Sequence, residues 1–432
     1  MAEDGVSDLW SPRQRTRPPL PRRLVRYARR YIDRPVTVAR AGARQLDGPK
    51  QPVPGYDADR DLAEQWRWSA CYAPLTSLYL DQFGAARACC QNTDHRLGDV
   101  ATSTLREIWD GAATAELRRS LEAGDLTKGC DFCSWQAEET GASPFARTYD
   151  IEPAGRRANP RWPVALEFAV SNTCNLQCVM CNGEWSSAIR SKREHLPPLA
   201  RAYPERFFDE LTPFIPHLRK ASFTGGEPFL GQDPLRIMDL LVEHGRPDLV
   251  LSVVTNATML SPRIERILRT LTPWVSVSFD GGTAEVYERI RVGASFDRVL
   301  ANVDRLAEIV RDRGVGMNLT HCLMVDNWET FPELLQLAEG RGLDVAINTV
   351  RFPEVHSLYH LPPAGLARVV DHLDARTPEV TATVGGSRLA TWHEQLSALR
   401  ARSEARPWPA ALGLPPSGAP VPVELTAPRR RR

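Results

Sequence analysis

Cys174, Cys178 and Cys181 share one short loop, Cys174-Asn175-Leu176-Gln177-Cys178-Val179-Met180-Cys181, and the spacing C-x3-C-x2-C offers three thiolates without a fourth. A structural zinc ion takes four tetrahedral ligands, and no nearby His completes that set. A cubane [4Fe-4S] cluster held by three cysteines keeps one iron open to a further ligand. That open iron is where chemistry can start.

A second set of thiols precedes the first. Cys71, Cys89, Cys130 and Cys133 fall in the order Cys71-Tyr72-Ala73-Pro74, Gly84-x4-Cys89 and Cys130-x2-Cys133. Four cysteines fill one [4Fe-4S] cluster completely, and the spacing is also compatible with zinc. Cys90 competes with Cys89 for its place, and the distance from Gly84 favours Cys89.

Cys322 stands outside both sets. Along Met317 to Met324 the alternate residues Asn318, Thr320 and Cys322 are smaller and more polar than Met317, Leu319 and Leu323, so a strand here turns Cys322 toward an interior cavity and His321 away from it. A thiol in that place can give a hydrogen atom to a radical; the alternative is a small buried core residue. Glu167 is an acidic residue on an expected strand and is equally a candidate ion-pair partner, so it carries no role from sequence alone.

The elements that must position these groups alternate. Expected strands are Val164 to Val170, Lys220 to Phe223, Leu249 to Thr255, Val275 to Phe279, Gly316 to Leu323 and Asp344 to Val350. Between them lie helical stretches such as Pro204 to Phe214, Pro234 to His244, Pro262 to Leu271, Ser295 to Val310 and Phe331 to Gly340. Such alternation implies parallel strands with right-handed crossovers, and ligands then collect at the C-terminal strand ends. The three-cysteine loop follows the first strand at that end. The fold class is α/β, a partial (β/α)6 TIM-like barrel.

Before it, residues 66 to 150 read as a small hairpin-plus-helix metal module. Two short runs, Leu75 to Leu80 and Ala86 to Cys90, flank the turn Asp81-Gln82-Phe83-Gly84. Thr104 and Glu107 have capping-box spacing, and Leu117 and Leu121 lie one helical turn apart. Residues 1 to 65 form a basic Pro/Arg-rich arm in which Leu24, Tyr27, Ala28, Tyr31 and Ile32 have helical spacing. The barrel core is expected over 160 to 375, with helices at Ala364 to Arg376 and Arg388 to Glu404. The last helix makes 376 to 405 a C-terminal helical segment, and 406 to 432 a disordered tail.

Lys and Arg number 54 against 53 Asp and Glu, a formal net charge of +1, which gives no general pull toward nucleic acid or membranes. Nine cysteines, seven of them in close groups, suit metal binding in a reducing compartment better than a disulfide framework. The first residues lack the pattern of a signal peptide, and no run reaches the length of a membrane span. A cytoplasmic protein is expected.

At the loop the resemblance becomes specific. Cys174, Cys178 and Cys181 resemble the cluster motif of the radical S-adenosylmethionine (SAM) superfamily, and Thr224-Gly225-Gly226-Glu227-Pro228 resembles its GGEP motif. Thr255-Asn256, Ser278-Phe279-Asp280-Gly281 and Tyr287-Glu288-Arg289-Ile290-Arg291 follow in the family's order. The resemblance implies a SAM-binding [4Fe-4S] cluster, with Gly225, Gly226, Glu227 and Pro228 at the amino group of SAM. It also implies Ser278 at the ribose or carboxylate and Arg291 at the carboxylate. Asn256 belongs to the same cofactor-binding set. Met180 stands where the family commonly has an aromatic residue near the adenine, and its thioether can still cover a ring face.

The N-terminal thiol set, with Leu97-Gly98-Asp99 and Leu105-Arg106-Glu107-Ile108-Trp109, is similar to SPASM/twitch modules that carry an auxiliary [4Fe-4S] cluster, although such modules usually follow the core. The resemblance implies an enzyme that cleaves SAM reductively to a 5′-deoxyadenosyl radical and abstracts a substrate hydrogen. The expected outcome is epimerisation or dehydrogenation of a natural-product sugar or other small molecule. Modification or cross-linking of a ribosomal peptide is the alternative, and a non-catalytic iron-sulfur or zinc scaffold is the alternative of another class. A reductant such as flavodoxin or ferredoxin is an implied partner.

Overall fold

The computed structural model describes residues 70–140, 144–149, 160–312, 316–350 and 352–404. The basic arm, its expected helix near Leu24 to Ile32, and the tail from residue 406 lie outside the described residues.

The hairpin forms where its turn chemistry demands it. β1 (Ser77–Leu80) and β2 (Ala85–Arg87) pair antiparallel across the turn, where Gly84 has φ +84°. Asp81 closes that turn by accepting the backbone N–H groups of Phe83 and Ala85, both at 2.9 Å, while its other oxygen meets Arg87 at 2.6 Å. The strand expected from Leu75 starts later, because Leu75 and Thr76 both donate their N–H groups to Tyr72 O and wind into the single helical turn α1 (Ala73–Thr76). A two-residue β3 (Gly98–Asp99) adds to β2.

α2 (Leu105–Asp110) begins with the expected capping box between Thr104 and Glu107. α3 (Ala112–Glu122) buries Leu117 and Leu121, and α4 (Asp131–Thr140) and α5 (Pro144–Arg147) complete the module.

The barrel strands are β4 (Ala165–Phe168), β5 (Lys220–Phe223), β6 (Val250–Thr255), β7 (Thr272–Ser278), β8 (Met317–Leu323) and β9 (Asp344–Thr349). All six are parallel neighbours in that order. Between β4 and β5 lie α6 (Ser187–Lys192) and α7 (Glu205–Leu211), and after β5 comes α8 (Gln232–His244). The next crossovers use α9 (Pro262–Thr270), then α10 (Ala284–Ile290) with α11 (Phe296–Asp312), then α12 (Phe331–Glu339).

Alternation along each strand sorts the two faces. Phe168, Phe223, Leu251, Val253, Val275, Val277 and Leu319 are fully buried in the main apolar core, to which helices such as α8, α9 and α11 contribute. The register puts Glu167 beside Ser222, Ser222 beside Ser252, Ser276 beside Asn318, Ser278 beside Thr320, and Cys322 beside Asn348 on the other face. That face is polar.

The module and the barrel share one sheet. β1 pairs parallel with β4, Ser77 opposite Ala165 and Leu80 opposite Phe168, so among the described residues nine strands run in the order β3-β2-β1-β4-β5-β6-β7-β8-β9. Beyond β9, α13 (Pro363–Thr383) packs with α14 (Gly386–Glu404). The expected limit at residue 375 falls inside α13. The helix continues past Arg376 and Pro378, and the buried Trp392 of α14 donates its indole N–H to Thr377 Oγ1 at 3.1 Å.

Candidate active site

The three-cysteine loop leaves the C-terminal end of β4 and is held from both sides. Ser187 at the start of α6 donates its hydroxyl to Cys174 O and accepts the Cys174 N–H, each at 3.1 Å. Ser186, which caps the same helix, donates to Leu176 O at 2.7 Å. Opposite, Gln177 N–H and Val179 N–H donate to Val292 O and Ile290 O at 2.9 and 3.0 Å. Burial pushes all three thiols above their ordinary range; for Cys181, where the neighbouring Cys178 adds to the effect, the rise is to about 12.

The glycines after β5 pack on this loop. Gly225 has φ +102°, and a Cβ there would sit 2.9 Å from Ser171 O. A Cβ on Gly226 would collide with Thr173 O and the Asn172 backbone. Gly226 N–H donates to Ser171 O at 3.0 Å and Glu227 N–H to Thr173 O at 2.7 Å. Both glycines thus lie close against the residues that lead into Cys174.

Glu227 is similarly occupied. Its carboxylate, 2% exposed, accepts from Thr255 Oγ1 at 2.7 Å, Phe229 N–H at 3.1 Å and Asn256 N–H at 2.6 Å. Burial raises its pKa despite these three donors. Glu227 therefore ties the end of β5 to the end of β6 with three protein donors already in place, and Pro228 beside it is buried. Asn256 extends from β6 toward the loop, with Nδ2 3.8 Å from Cys174 Sγ and 3.1 Å from Asn175 Oδ1.

Arg291 follows α10 and already has a carboxylate. Its Nη2 lies 2.6 Å from Asp280 Oδ2 and its Nη1 3.8 Å from Cys178 Sγ, both side chains being nearly closed to solvent. Burial opposes the guanidinium charge, but Asp280 and Cys178 outweigh it and raise the pKa. The other oxygen of Asp280 accepts Cys322 N–H at 2.7 Å. Cys322 itself is half-buried on the polar sheet face and packs with Val179 and Met180 of the cysteine loop against Val286, Ile290, Met324 and Val350. His321 points the other way, fully buried, with Nδ1 2.9 Å from Phe279 O. Ser278 closes β7, partly exposed on the polar face.

In the N-terminal module Cys71, Cys89, Cys130 and Cys133 line one small cavity of about 20 Å³, together with Leu117, Leu121, Phe132 and Phe145. Cys90 is exposed and does not line it. Burial raises the thiols of Cys71, Cys89 and Cys130, Cys89 to about 12, and each is raised further by one or more of the other cysteines. Ala73 N–H donates to Cys71 Sγ at 3.4 Å and Asn92 Nδ2 to Cys130 Sγ at 3.7 Å. Among the described residues no three His, Cys, Asp or Glu side chains converge on a single-ion site.

Residues 168–338 match the model of the Radical SAM superfamily, and residues 71–134 match the SPASM iron-sulfur cluster-binding domain. The chain carries a radical SAM domain. Its SPASM domain precedes the radical SAM core.

Among curated relatives it is similar to GTP 3′,8-cyclase of Brucella canis, 24% identical over 48% of this chain and 56% of that protein. It is also similar to a probable GTP 3′,8-cyclase of Archaeoglobus fulgidus, 30% identical over 33% of this chain and 45% of that protein. The AdoMet-dependent heme synthase of Methanosarcina barkeri is 27% identical over 42% and 48% of the two chains. The chain spans about half the length of the curated relatives it matches. Among solved structures, Streptococcus suis SuiB bound to precursor peptide SuiA aligns over 74% of this chain and 73% of that one, with TM-score 0.38 and 15% identity. Native anSMEcpe with bound AdoMet aligns over 52% and 62%, with TM-score 0.36 and 18% identity.

The radical SAM core brings a [4Fe-4S] cluster and SAM as its cofactors, and the SPASM domain an auxiliary iron-sulfur cluster. The residues present fit both groups. Each donor set is all sulfur, which suits iron-sulfur chemistry. Buried, mutually repelling thiols are also the state that iron binding relieves, since the ligands must be deprotonated and the metal supplies the opposite charge. Motif spacing did not reveal Ser186, Ser187 and Asn92, because single polar residues outside a motif carry no spacing signal, and Asp280, though inside the Ser278-Phe279-Asp280-Gly281 motif, was given no role by it.

Proposed function

We propose that this radical SAM enzyme reductively cleaves SAM and uses the 5′-deoxyadenosyl radical to abstract hydrogen from a natural-product sugar or another polar small molecule, for epimerisation or dehydrogenation. The observation that carries this is the convergence of the three-thiol loop, the Gly225-Gly226 segment and Asn256 at the C-terminal ends of the strands, beside a sheet face bearing Glu167, Ser222, Ser252, Ser278, Thr320 and Cys322. Hydroxyls and a carboxyl are the partners a hydroxylated ligand needs. The relatives named GTP 3′,8-cyclase and heme synthase carry small molecules in their names, which supports that substrate class.

In this reading Cys174, Cys178 and Cys181 would hold the cluster, whose chemistry there would be to supply the electron for reductive cleavage of SAM. Met180 and the apolar group around it cover one side of the SAM pocket and exclude water. Ser278 is a polar contact at the strand end. For epimerisation, Cys322 Sγ–H gives its hydrogen atom to the substrate radical, forming the new C–H bond. The resulting thiyl takes one electron from a flavodoxin- or ferredoxin-class reductant and one proton from solvent. For dehydrogenation, the substrate radical would instead pass one electron to the auxiliary cluster that Cys71, Cys89, Cys130 and Cys133 would hold, and one proton to solvent.

The setting we propose is the cytoplasm, where thiols stay reduced; none of the nine cysteines is in a disulfide, and among the described residues no helix is long and apolar enough to cross a membrane. Anaerobic reconstitution with iron and sulfide, followed by reduction and assay for 5′-deoxyadenosine, tests the reading. Release of 5′-deoxyadenosine that disappears in a Cys174/Cys178/Cys181 triple-alanine variant supports it. A fully loaded protein that leaves SAM intact overturns it.

A further inference from the structure

Two of the three loop sulfurs face a nitrogen donor from outside the loop. Asn256 Nδ2 stands 3.8 Å from Cys174 Sγ, and Arg291 Nη1 stands 3.8 Å from Cys178 Sγ. Both donors are fixed by other bonds. The amide of Asn256 is oriented by its own oxygen, which accepts Thr258 N–H at 2.9 Å and Thr258 Oγ1–H at 2.7 Å, while its backbone N–H is held on Glu227. Arg291 is oriented by the 2.6 Å ion pair with Asp280, whose second oxygen is held by Cys322 N–H.

A guanidinium that faced a substrate carboxylate would keep its fork open. This one spends Nη2 on Asp280 and turns Nη1 to sulfur, and its Nε is buried without a hydrogen-bond partner. Neutralised by Asp280, it donates a polar N–H without adding a full net charge to the site.

We infer that Asn256 and Arg291 are positioning residues whose N–H groups on Cys174 and Cys178 set the reduction potential of the cluster, with Asp280 as the brake on Arg291. Cluster potentials respond to hydrogen bonds on sulfur and to local charge. Reduction adds negative charge that spreads onto the cysteine sulfurs, so an N–H donor stabilises the reduced state more than the oxidised one. Losing a donor lowers the potential. Losing the Asp280 carboxylate leaves Arg291 unneutralised and raises it.

The inference rests on the reading that the three cysteines hold a [4Fe-4S] cluster. Iron and sulfide content of the reconstituted wild-type protein is therefore measured first, and a protein that takes up no cluster at these cysteines fails that reading. With the cluster present, its midpoint is read by EPR-monitored potentiometric titration without SAM, using the signal that changes when SAM is later added to distinguish it from the auxiliary cluster. SAM affinity is measured in parallel.

For Asn256→Ala and Arg291→Lys the expected result is a fall of about tenfold in the reduced-to-oxidised ratio at a fixed potential, a shift of ~59 mV for one electron. Asp280→Asn is expected to shift the midpoint the opposite way. Opposite signs from two sides of one ion pair are not produced by a purely structural role. Arg291→Lys with an unchanged midpoint and weakened SAM binding overturns the inference in favour of a direct SAM contact. Where the variants of the ion pair do not fold, Asn256→Ala decides alone: a loaded cluster with an unmoved midpoint overturns it.

Discussion

Tyr149 donates its hydroxyl to Glu167 Oε1 at 2.8 Å, joining the segment after the SPASM domain to the first strand of the radical SAM core. Burial raises the pKa of Glu167, and the Tyr149 hydroxyl is its main counterweight, ahead of Lys220. The carboxyl lies on the polar sheet face, close enough to the auxiliary thiol of Cys89 to help raise it.

Removing that bond is expected to be felt in stability. Tyr149→Phe leaves a buried carboxyl without its donor, which costs about 1–3 kcal/mol. Chemical denaturation of the reconstituted protein at neutral pH checks this, and an unchanged midpoint would show that water replaces the hydroxyl.

Gly226→Ala is expected to disable the core cluster site. The added methyl meets backbone atoms of Asn172 and Thr173, which cannot swing aside as a side chain would. A cost of about 1–3 kcal/mol follows from overpacking, together with loss of iron from the three-cysteine loop. Gly342→Ala, where nothing lies near the added carbon but φ is +62°, serves as a comparison for strain without a clash.

For the auxiliary site, Cys71→Ser, Cys89→Ser, Cys130→Ser and Cys133→Ser are each expected to lower bound iron by about four atoms per chain, the content of one [4Fe-4S] cluster. Cys90→Ser is expected to leave iron content unchanged, since Cys90 does not line the cavity. Iron and sulfide analysis after identical reconstitution separates the outcomes. Equal losses for Cys89→Ser and Cys90→Ser would reject the assignment.

Cys322→Ala separates the two reaction outcomes. If Cys322 supplies hydrogen for epimerisation, turnover in deuterium oxide puts solvent deuterium in the product of the wild type, and the variant still forms 5′-deoxyadenosine but loses epimerised product. Full product formation by the variant, with deuterium retained, would exclude Cys322 as the donor.

His321 gives the pH dependence a sign. Burial pulls its pKa below the ordinary value, with Arg291 acting the same way and Asp280 and the Phe279 carbonyl opposing. A depressed histidine favours the folded state fully above its unfolded pKa of about 6.5, and that contribution is lost as pH falls below it toward the folded value. The denaturation midpoint is therefore expected to drop between pH 7 and pH 5, and to drop less in His321→Phe. An identical slope in both proteins would assign the acid sensitivity elsewhere.

Much of the barrel was legible in the sequence because each strand is a short apolar run and each helix an amphipathic one. Lys220–Phe223 is observed as expected, and Leu249 to Thr255 and Gly316 to Leu323 differ by one residue at the start. The parity along β8 was legible for the same reason: Asn318, Thr320 and Cys322 read as one face. The parallel pairing of β1 with β4 was not legible, since strand pairing across a long intervening segment leaves no periodicity. The roles of Glu227 and Arg291 were only half legible. Motif identity marks the position, but not that Thr255, Asn256 and Asp280 have already taken up the charged groups there.

The pairing of β1 with β4 also orders the events of synthesis. Cys71 and Cys89 leave the ribosome well before Phe168, yet the hairpin between them gains its parallel neighbour only when that residue has emerged. Until then one edge of β1 is an open ladder of backbone donors and acceptors, the kind of edge that recruits other strands. The auxiliary thiols thus pass through a stage at which their scaffold is half built, and the first strand of the barrel is what ends it.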